Sequence, residues 1–497
     1  MPIDRGIKMA RKLFLSVLIA TLLSSCGNVE VKESSIPPFS SMDISLSSIE
    51  SSSSTSPVSS SLSSNARSWK GYTQIEGAYH LNYDAILLKD EEGEPVQMKL
   101  DIPYESFSFA HASTSFNKNL ALSALNFVSK APYKEKISEA YLSFGFEDVT
   151  YSPDYEVEES ETSLLYVLGH KNIDGYNLIN FTIAGYEYKK PWKENFNLGK
   201  TGNHQGFNQM ALKALSPLIA YLREVGGTNS KVFINGYSRS AAIANILCTI
   251  LLDNSIVSEA NLYAYLFETP KGIEISNTKS YPSIFNIINS ADLITYVSPT
   301  EYGHKRAGVD IDINNEFAEE ILLSYDKNLI VPSFTPSNNA KEKYQNDQEF
   351  IAYLLSLLLE QSDSYKNGTS TFDISSRNAY CDNIQDDASY LIGVIFSLEY
   401  DELSELTDSF DDLELSQIAN IFEDDGLYNL ISPILIEHGA SFEEERLKAS
   451  LNKLVKALKE KPSLMGKVTD KGFLDNALRT IYFHTLETVL PLLLNLD

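Results

Sequence analysis

Ser238, three late histidines and a few carboxylates at the ends of apolar runs are the residues of this 497-residue chain best placed for covalent chemistry. A serine hydroxyl becomes a useful nucleophile when a neighbouring base takes its proton. A histidine serves as that base when a carboxylate holds its tautomer and stabilises the imidazolium. Ser238 stands in the stretch 231–253, KVFINGYSRSAAIANILCTILLD. The apolar run Val232, Phe233, Ile234 is short enough for a buried strand, and Asn235-Gly236-Tyr237-Ser238 reads as a turn. Ile243, Ile246, Leu247, Ile250 and Leu251 then fall on one face of a 3.6-period helix. Strand, Gly-x-Ser-x turn and helix, in that order, form the setting of a nucleophile elbow. Gly236 and the small residues Ser240, Ala241 and Ala242 let strand and helix approach closely. Ser240 stands where the second glycine of G-x-S-x-G is expected. The competing reading of Ser238 is a plain helix cap.

With the elbow serine first, the acid and then the histidine are expected further along the chain. Asp292 follows an apolar strand in FNIINSADLITYVSP, at a strand tip, where α/β sheets assemble their sites. Glu268, at the end of the preceding strand, is the rival; the short polar turn Ser-Ala-Asp favours Asp292. Three histidines follow Asp292: His304, His438 and His484. His304 lies beside the alternating run Val-Asp-Ile-Asp-Ile, which reads as a half-buried strand, and is itself read as a surface-loop residue if it is not the base. His438 precedes Gly439 at what reads as a helix end, where a cation is structurally favoured. His484, in FHTLETVLPLLL, comes late, where the third member is due, and is preferred; the other two stay open. His80, His111 and His170 precede the elbow and read as ordinary fold residues.

These residues need a frame. Helices are expected over 117–130 and from Pro132 to about residue 144, ending at Gly145, and over 208–225. Strands are expected at 163–168 and 176–184, separated by Asn172-Ile173-Asp174-Gly175, and at 262–267 and 284–289. Strands alternating with helices point to an α/β fold with a mostly parallel sheet covered on both faces. From about 315 to 470 the pattern turns helical, with apolar-rich segments at 349–359, 379–398 and 430–437. A further helix at 441–460 opens with a capping box (Ser441, Glu444) and carries Leu447, Leu451, Leu454, Val455 and Leu458 on one face. This stretch is expected to form a large helical insertion over the sheet. The organisation is therefore a core at 69–314, the insertion at 315–470 and a segment at 471–497 that completes the core.

The beginning of the chain is of another kind. Arg11-Lys12 precede an apolar segment at 13–23, too short to span a bilayer permanently but suited to a signal-peptide core. It ends in Leu23-Ser24-Ser25-Cys26-Gly27, which resembles a bacterial lipobox. The resemblance implies a signal peptide at 1–25, cleavage before Cys26 and a diacylglyceryl group on its thiol. Residues 26–68 are dominated by serine and read as a flexible tether, because such a tract buries too little apolar surface to offset its ordering entropy. An extracytoplasmic, membrane-anchored protein is the expectation.

The formal charge of −27 argues against nucleic-acid binding, which needs basic surface. Arg5, Lys8, Arg11 and Lys12 against Asp4 give the first 25 residues a net +3, whose removal takes the charge to −30. Cys26, Cys248 and Cys381 do not make a disulfide framework. Cys248, on the elbow helix, reads as a small buried apolar residue. Asp310-x-Asp312-x-Asn314 opens like a calcium loop, but Asn315 takes the required glycine's place and the closing Glu is missing. With no dinucleotide fingerprint or phosphate loop either, no metal or cofactor is expected.

The elbow GYSRSAAIAN resembles the Gly-His-Ser-Arg-Gly-Ala-Ala-x-Ala-Asn form of bacterial class 3 lipase-like (fungal lipase-like) α/β hydrolases. LYAYLFETP is similar to the strand after that elbow, and SIFNIINSADLITYVSP to the acid-bearing segment, which supports Asp292. YGHKRAGVDI resembles a Trp-Gly-Phe-x-Arg-x-Gly stretch, placing His304 at an aromatic, non-catalytic position. PWKENFNLGKTGNHQGF resembles the Trp-x-x-Asn-Phe … His-x-Gly-Phe signature through Trp192, Asn195, His204, Gly206 and Phe207. FTIAGY is similar to the Arg-Gly-Thr turn, with Ala184 for Arg and Tyr186 for Thr, and FHTLETVL to the terminal His segment, with Val489 for Tyr. Residues 105–310 and the last 25 carry the likeness.

The resemblance implies an α/β-hydrolase fold and cleavage of carboxylic esters of the lipase or esterase kind, acylglycerols or phospholipids included. Ser238 would be the nucleophile, Asp292 the acid and His484 the base. The backbone N–H groups of Arg239 and Tyr186 would form the oxyanion hole. The rival is a degenerate hydrolase kept as a surface binding or adhesion module, motivated by the altered elbow. A third reading keeps the three residues and transfers the acyl group to an alcohol other than water.

Overall fold

The structure, a computed structural model, describes residues 72–75, 78–89, 95–104, 109, 111–157, 160, 163–173, 175–184, 192–226, 230–290, 292–296, 298, 302–315, 317–318, 321–322, 377–378, 381–382, 385–395, 423–437, 439–459 and 483–496. The leader with Cys26, the tether, Tyr186, the segment 349–359 and His438 lie outside the described residues.

The first strands, β1 (Tyr72–Ile75), β2 (Ala78–Lys89) and β3 (Pro95–Tyr104), form an antiparallel sheet in that order. Helices α1 (Lys118–Lys130) and α2 (Lys134–Ser143) follow, α1 capped by Asn117, whose side chain accepts the N–H groups of Asn119 and Leu120. Then come β4 (Glu147–Tyr151), β5 (Leu165–Ile173), β6 (Tyr176–Ala184), α3 (Trp192–Phe196) and α4 (Gln205–Tyr221). The elbow strand β7 (Ser230–Tyr237) leads into α5 (Arg239–Asp253). Strands β8 (Leu262–Phe267), β9 (Ile273–Glu274), β10 (Ile284–Ile288), β11 (His304–Lys305) and β12 (Val309–Asp312) complete the sheets.

The central sheet has the order β12-β10-β8-β7-β6-β5-β4. Its strands β6, β7, β8, β10 and β12 run parallel, and β5 and β4 add an antiparallel edge. Strand β8 is buried at every residue, as a central parallel strand covered on both faces must be. The period of two sorts its side chains. Leu262, Ala264 and Leu266 join Val232 and Ile234 against α4 and α5, while Tyr263, Tyr265 and Phe267 join Phe233 against α1 and the helix that closes the chain. Helices on both faces, a tight strand-to-helix turn on central β7 and an acid beyond β10 make this an α/β-hydrolase fold.

Between acid and histidine lie α6 (Gln385–Ile395), α7 (Gly426–Glu437) and α8 (Glu444–Lys459), with α9 (Leu486–Leu494) as the closing helix. Helix α6 packs against α3 and α8, and α7 against α8. Arg377 ties this region to the core: fully buried, it donates to the carbonyls of Gly199 (2.6 Å), Leu198 and Gly202 (3.0 Å each).

Several expected bounds shift for local reasons. Helix α4 begins at Gln205, because the His204 ring takes the capping role and accepts the Phe207 N–H (3.4 Å). Strand β5 starts later and runs to Ile173, pairing with β6 along its whole length. Strand β12 is an edge strand, exposed at Val309, Asp310 and Asp312 rather than half-buried throughout. Helix α8 starts at Glu444 itself, so Ser441 lies outside the capping position, and the Glu443 N–H goes instead to the Tyr390 hydroxyl (3.1 Å).

Candidate active site

Strand β7 runs on through Asn235, Gly236 and Tyr237, paired with β8, so the turn expected over 235–238 narrows to Ser238 alone, between β7 and α5. A Cβ on Gly236 would sit 2.7 Å from the Ser240 carbonyl oxygen and 2.9 Å from the Ala241 nitrogen, so nothing larger fits there. Ser240, in place of a glycine, closes the turn: its Oγ accepts the Tyr237 N–H (3.0 Å) and donates to the Tyr237 carbonyl (2.7 Å). Ser238 has φ 57°, in the left-handed region that costs an L-residue about 1–2 kcal/mol. Its side chain makes no capping bond to α5, which removes the plain-cap reading. The strained backbone turns the hydroxyl away from its own helix and toward His484.

Ser238 Oγ lies 2.7 Å from His484 Nε2, and His484 Nδ1 lies 2.6 Å from Asp292 Oδ2. Serine, imidazole and carboxylate thus form one hydrogen-bonded line. With the proton on Nδ1 held by Asp292, Nε2 is left as an acceptor for the serine O–H. Asp292 is fully buried in a turn past β10: its N–H donates to the Asn289 carbonyl (2.9 Å), and its Oδ1 accepts the Ile294 N–H (2.9 Å).

Two residues given no role by the sequence hold these parts in place. Tyr237 stacks on the His484 ring (centroids 5.3 Å apart, planes at 26°), and its hydroxyl donates to the His484 carbonyl. An aromatic directly before Ser238 was the available signal, but its partner lies 247 residues away. Arg306 pairs with Asp310 (2.7 Å) and also donates to the carbonyls of Thr269 (3.1 Å) and Thr295 (2.6 Å). It thereby clamps together the segments that follow β8 and Asp292.

Among the described residues, His304, His204 and His170 have other partners. His304 is fully buried, not a surface-loop residue; Ser298 Oγ holds its Nδ1 (2.5 Å) and His204 packs on it. Burial and the neighbouring His204 push His304 down to about 2. His204 is also buried, pushed down to about 3 by desolvation, and its Nε2 donates to the Asn195 carbonyl (3.2 Å). It holds α3 against α4, where a Cβ on Gly206 would meet the Glu194 carbonyl at 1.9 Å. His170 bonds the Tyr221 hydroxyl (3.1 Å), and His80 lies in β2.

Of the expected oxyanion donors, Arg239 N–H opens α5, a position with no intrahelical acceptor and with the positive end of the helix dipole behind it. The Tyr186 donor lies outside the described residues. Asp310 serves Arg306, and Asp312 Oδ1 accepts the N–H groups of Ser290 (3.1 Å) and Asn314 (3.0 Å), roles that use these carboxylates as structural acceptors. Oxygens of Glu268 and Asp292 and a nitrogen of His484 do lie within 4.8 Å of one another, a spacing a metal could use. Both imidazole nitrogens are already engaged, however, so the group is organised around a proton. Cys248 is buried and free, its thiol pushed up by desolvation; Cys381 is free as well.

No family model matches the chain, and no curated protein matches its sequence. Solved structures do. A fungal lipase in an inhibitor complex matches at 14% identity over 40% of this chain and 81% of that one, with a TM-score of 0.32. A lipase of Rhizomucor miehei in a propeptide complex matches at 15% identity over 41% and 69%, with a TM-score of 0.32. The lipase of Rhizopus microsporus var. chinensis matches at 14% identity over 43% and 82%, with a TM-score of 0.29. At this level of likeness the geometry of the site carries the functional reading.

Proposed function

We propose that the protein is a serine hydrolase that cleaves carboxylic esters through an acyl-enzyme on Ser238. The observation that carries this is the unbroken line from Ser238 Oγ through the His484 ring to Asp292, at 2.7 and 2.6 Å. His484 Nε2 takes the proton of Ser238 as Oγ attacks the ester carbonyl carbon, and Asp292 stabilises the imidazolium that results. The Arg239 N–H faces the oxygen on which charge develops, with Tyr186 as the expected second donor. Collapse of the tetrahedral intermediate expels the alcohol, which takes the proton from Nε2. Water, deprotonated by the same nitrogen, then attacks the acyl carbon and frees the carboxylate and Ser238. The strained Ser238 backbone and the absence of a cap bond favour this over a degenerate site, since neither serves a binding module.

The substrates proposed are lipid esters, at a membrane surface to which a diacylglyceryl group on Cys26 would tether the folded body. Among the described residues no helix is long and apolar enough to cross a membrane. A fluorophosphonate probe should label the purified protein at Ser238, and Ser238→Ala should lose both label and p-nitrophenyl ester cleavage. An unlabelled, inactive wild type would sink the proposal. Cys26→Ser should move the protein from the membrane fraction to the soluble one; retention in the membrane would refute the anchor.

A further inference from the structure

Beside Asp292 lies a second buried carboxyl that the hydrolytic steps above do not use. Glu268, at the tip of β8, has φ 46°, a left-handed backbone that a non-glycine residue adopts only where the surroundings impose it. Its N–H is fixed on the Ile287 carbonyl (2.9 Å), and the side chain is fully buried. Both its oxygens face the Asn289 N–H (3.1 and 3.0 Å), at the start of the turn that carries Asp292. A Glu268 carboxyl oxygen also lies within 4.8 Å of an Asp292 carboxyl oxygen and of a His484 ring nitrogen, all three residues being buried.

We infer that Glu268 is a positioning residue, a neutral carboxylic acid that donates its O–H to Asp292, so that His484 is held by a carboxyl pair sharing one negative charge. For its effect on turnover this rests on the ester-hydrolase reading. Two carboxylates in contact away from water do not both ionise. The groups facing Glu268 decide which keeps the proton. Asp292 and Asn289 face it from the turn after β10, Asp312 from the end of β12, and His484 from the turn before α9. Asp292 holds an imidazole N–H and the Ile294 N–H, both of which favour its charge. Glu268 faces one backbone N–H and two acids, so the proton stays with it. Burial first, then the charge of Asp292, hold its carboxyl well above the usual range. The resulting O–H···O⁻ bond is of the short, charge-assisted kind and leaves Asp292 one orientation toward Nδ1. When Glu268 ionises at high pH the donor is lost and a buried dianion forms, so turnover falls there.

The folded protein holds a proton on Glu268 that the unfolded chain releases near its ordinary value of 4.5. Between that value and the raised one the folded state binds more protons, so this group's stability contribution is fullest below 4.5 and is lost as pH rises. The amide of a Glu268→Gln variant has no such proton to lose. The test compares wild type, Glu268→Gln and Glu268→Ala by kcat/KM on a p-nitrophenyl ester and by Tm, from about pH 5 to about pH 10. Glu268→Ala should lower kcat about tenfold to a hundredfold with KM little changed. Glu268→Gln, which keeps a donor, should recover most of that loss and lack the alkaline fall, and its Tm should gain on the wild type as pH rises. If Gln loses as much as Ala, or both keep the wild-type pH profile, the assignment is overturned. Should the Ala variant not fold, the Gln profile decides alone. Should the wild type cleave no ester, the hydrolase reading fails, while parallel Tm curves for Gln and wild type would separately refute the shared proton.

Discussion

Tyr237 illustrates how much a single side chain near His484 is asked to do. Its ring supports the imidazole face and its hydroxyl fixes the peptide that carries it. Tyr237→Phe removes the second function alone; a hydrogen bond of net worth about 1 kcal/mol corresponds to roughly a fivefold fall in kcat, with KM little moved. Steady-state kinetics on a soluble ester would show it, and an unchanged kcat would mean that the stacking alone positions the ring. Asp292→Asn should cost far more, about 10⁴ in kcat, because the amide favours the wrong imidazole tautomer. Sequence reasoning could single out Ser238 and Asp292 because each is marked locally, by a Gly-flanked turn and by a polar turn after a strand. Tyr237 shows only its place before Ser238, and Glu268, legible as the rival acid at a strand end, shows nothing of its role beside Asp292. A strand-end glutamate reads the same whether charged or neutral, and only proximity to a residue 24 positions on distinguishes the two.

At the scale of elements, β7, β8, β10 and α5 were legible because their apolar runs have the length and period of buried parallel strands and of a helix covered nearly all round. The shifts elsewhere come from partners that periodicity does not see: a histidine side chain capping α4, and a sheet edge that leaves β12 exposed. The elbow itself makes the sharpest element-level prediction. Gly236→Ala would drive a methyl into the backbone of the first turn of α5, 2.7 Å from the Ser240 oxygen. Backbone cannot yield as a flexible side chain does, so the substitution should destabilise by about 1–3 kcal/mol. A lower urea midpoint with an unchanged slope would register that loss as stability rather than as a change in compactness. Arg306 works on the same scale, holding the segments after β8 and after Asp292 at a common distance through two carbonyl bonds.

The molecule as a whole carries a large excess of one sign of charge. At −27, like charges along the chain repel one another, and the compact state holds them closer than the unfolded chain does. Surface ion pairs oppose this, among them Lys134 with Glu156, Lys213 with Asp154 (2.9 Å) and Lys448 with Asp425 (2.8 Å). Exposed pairs of this kind each contribute little, because water screens them and holding two long side chains in place costs entropy; salt weakens them too. The two effects have different ranges. An ion pair at contact distance is screened only partly, whereas repulsion summed over the whole surface acts across tens of ångströms. It should largely vanish as the screening length falls from about 30 Å at 0.01 M salt to about 8 Å at 0.15 M. The long-range term should therefore dominate, and Tm should rise by a few degrees over that interval and then level off. Sodium chloride is the salt to use in a thermal melt, because sulfate would add a general stabilisation of buried apolar surface. A Tm that falls with added chloride would show that the ion pairs outweigh the net charge, and that the acidic surface is patterned for local pairing.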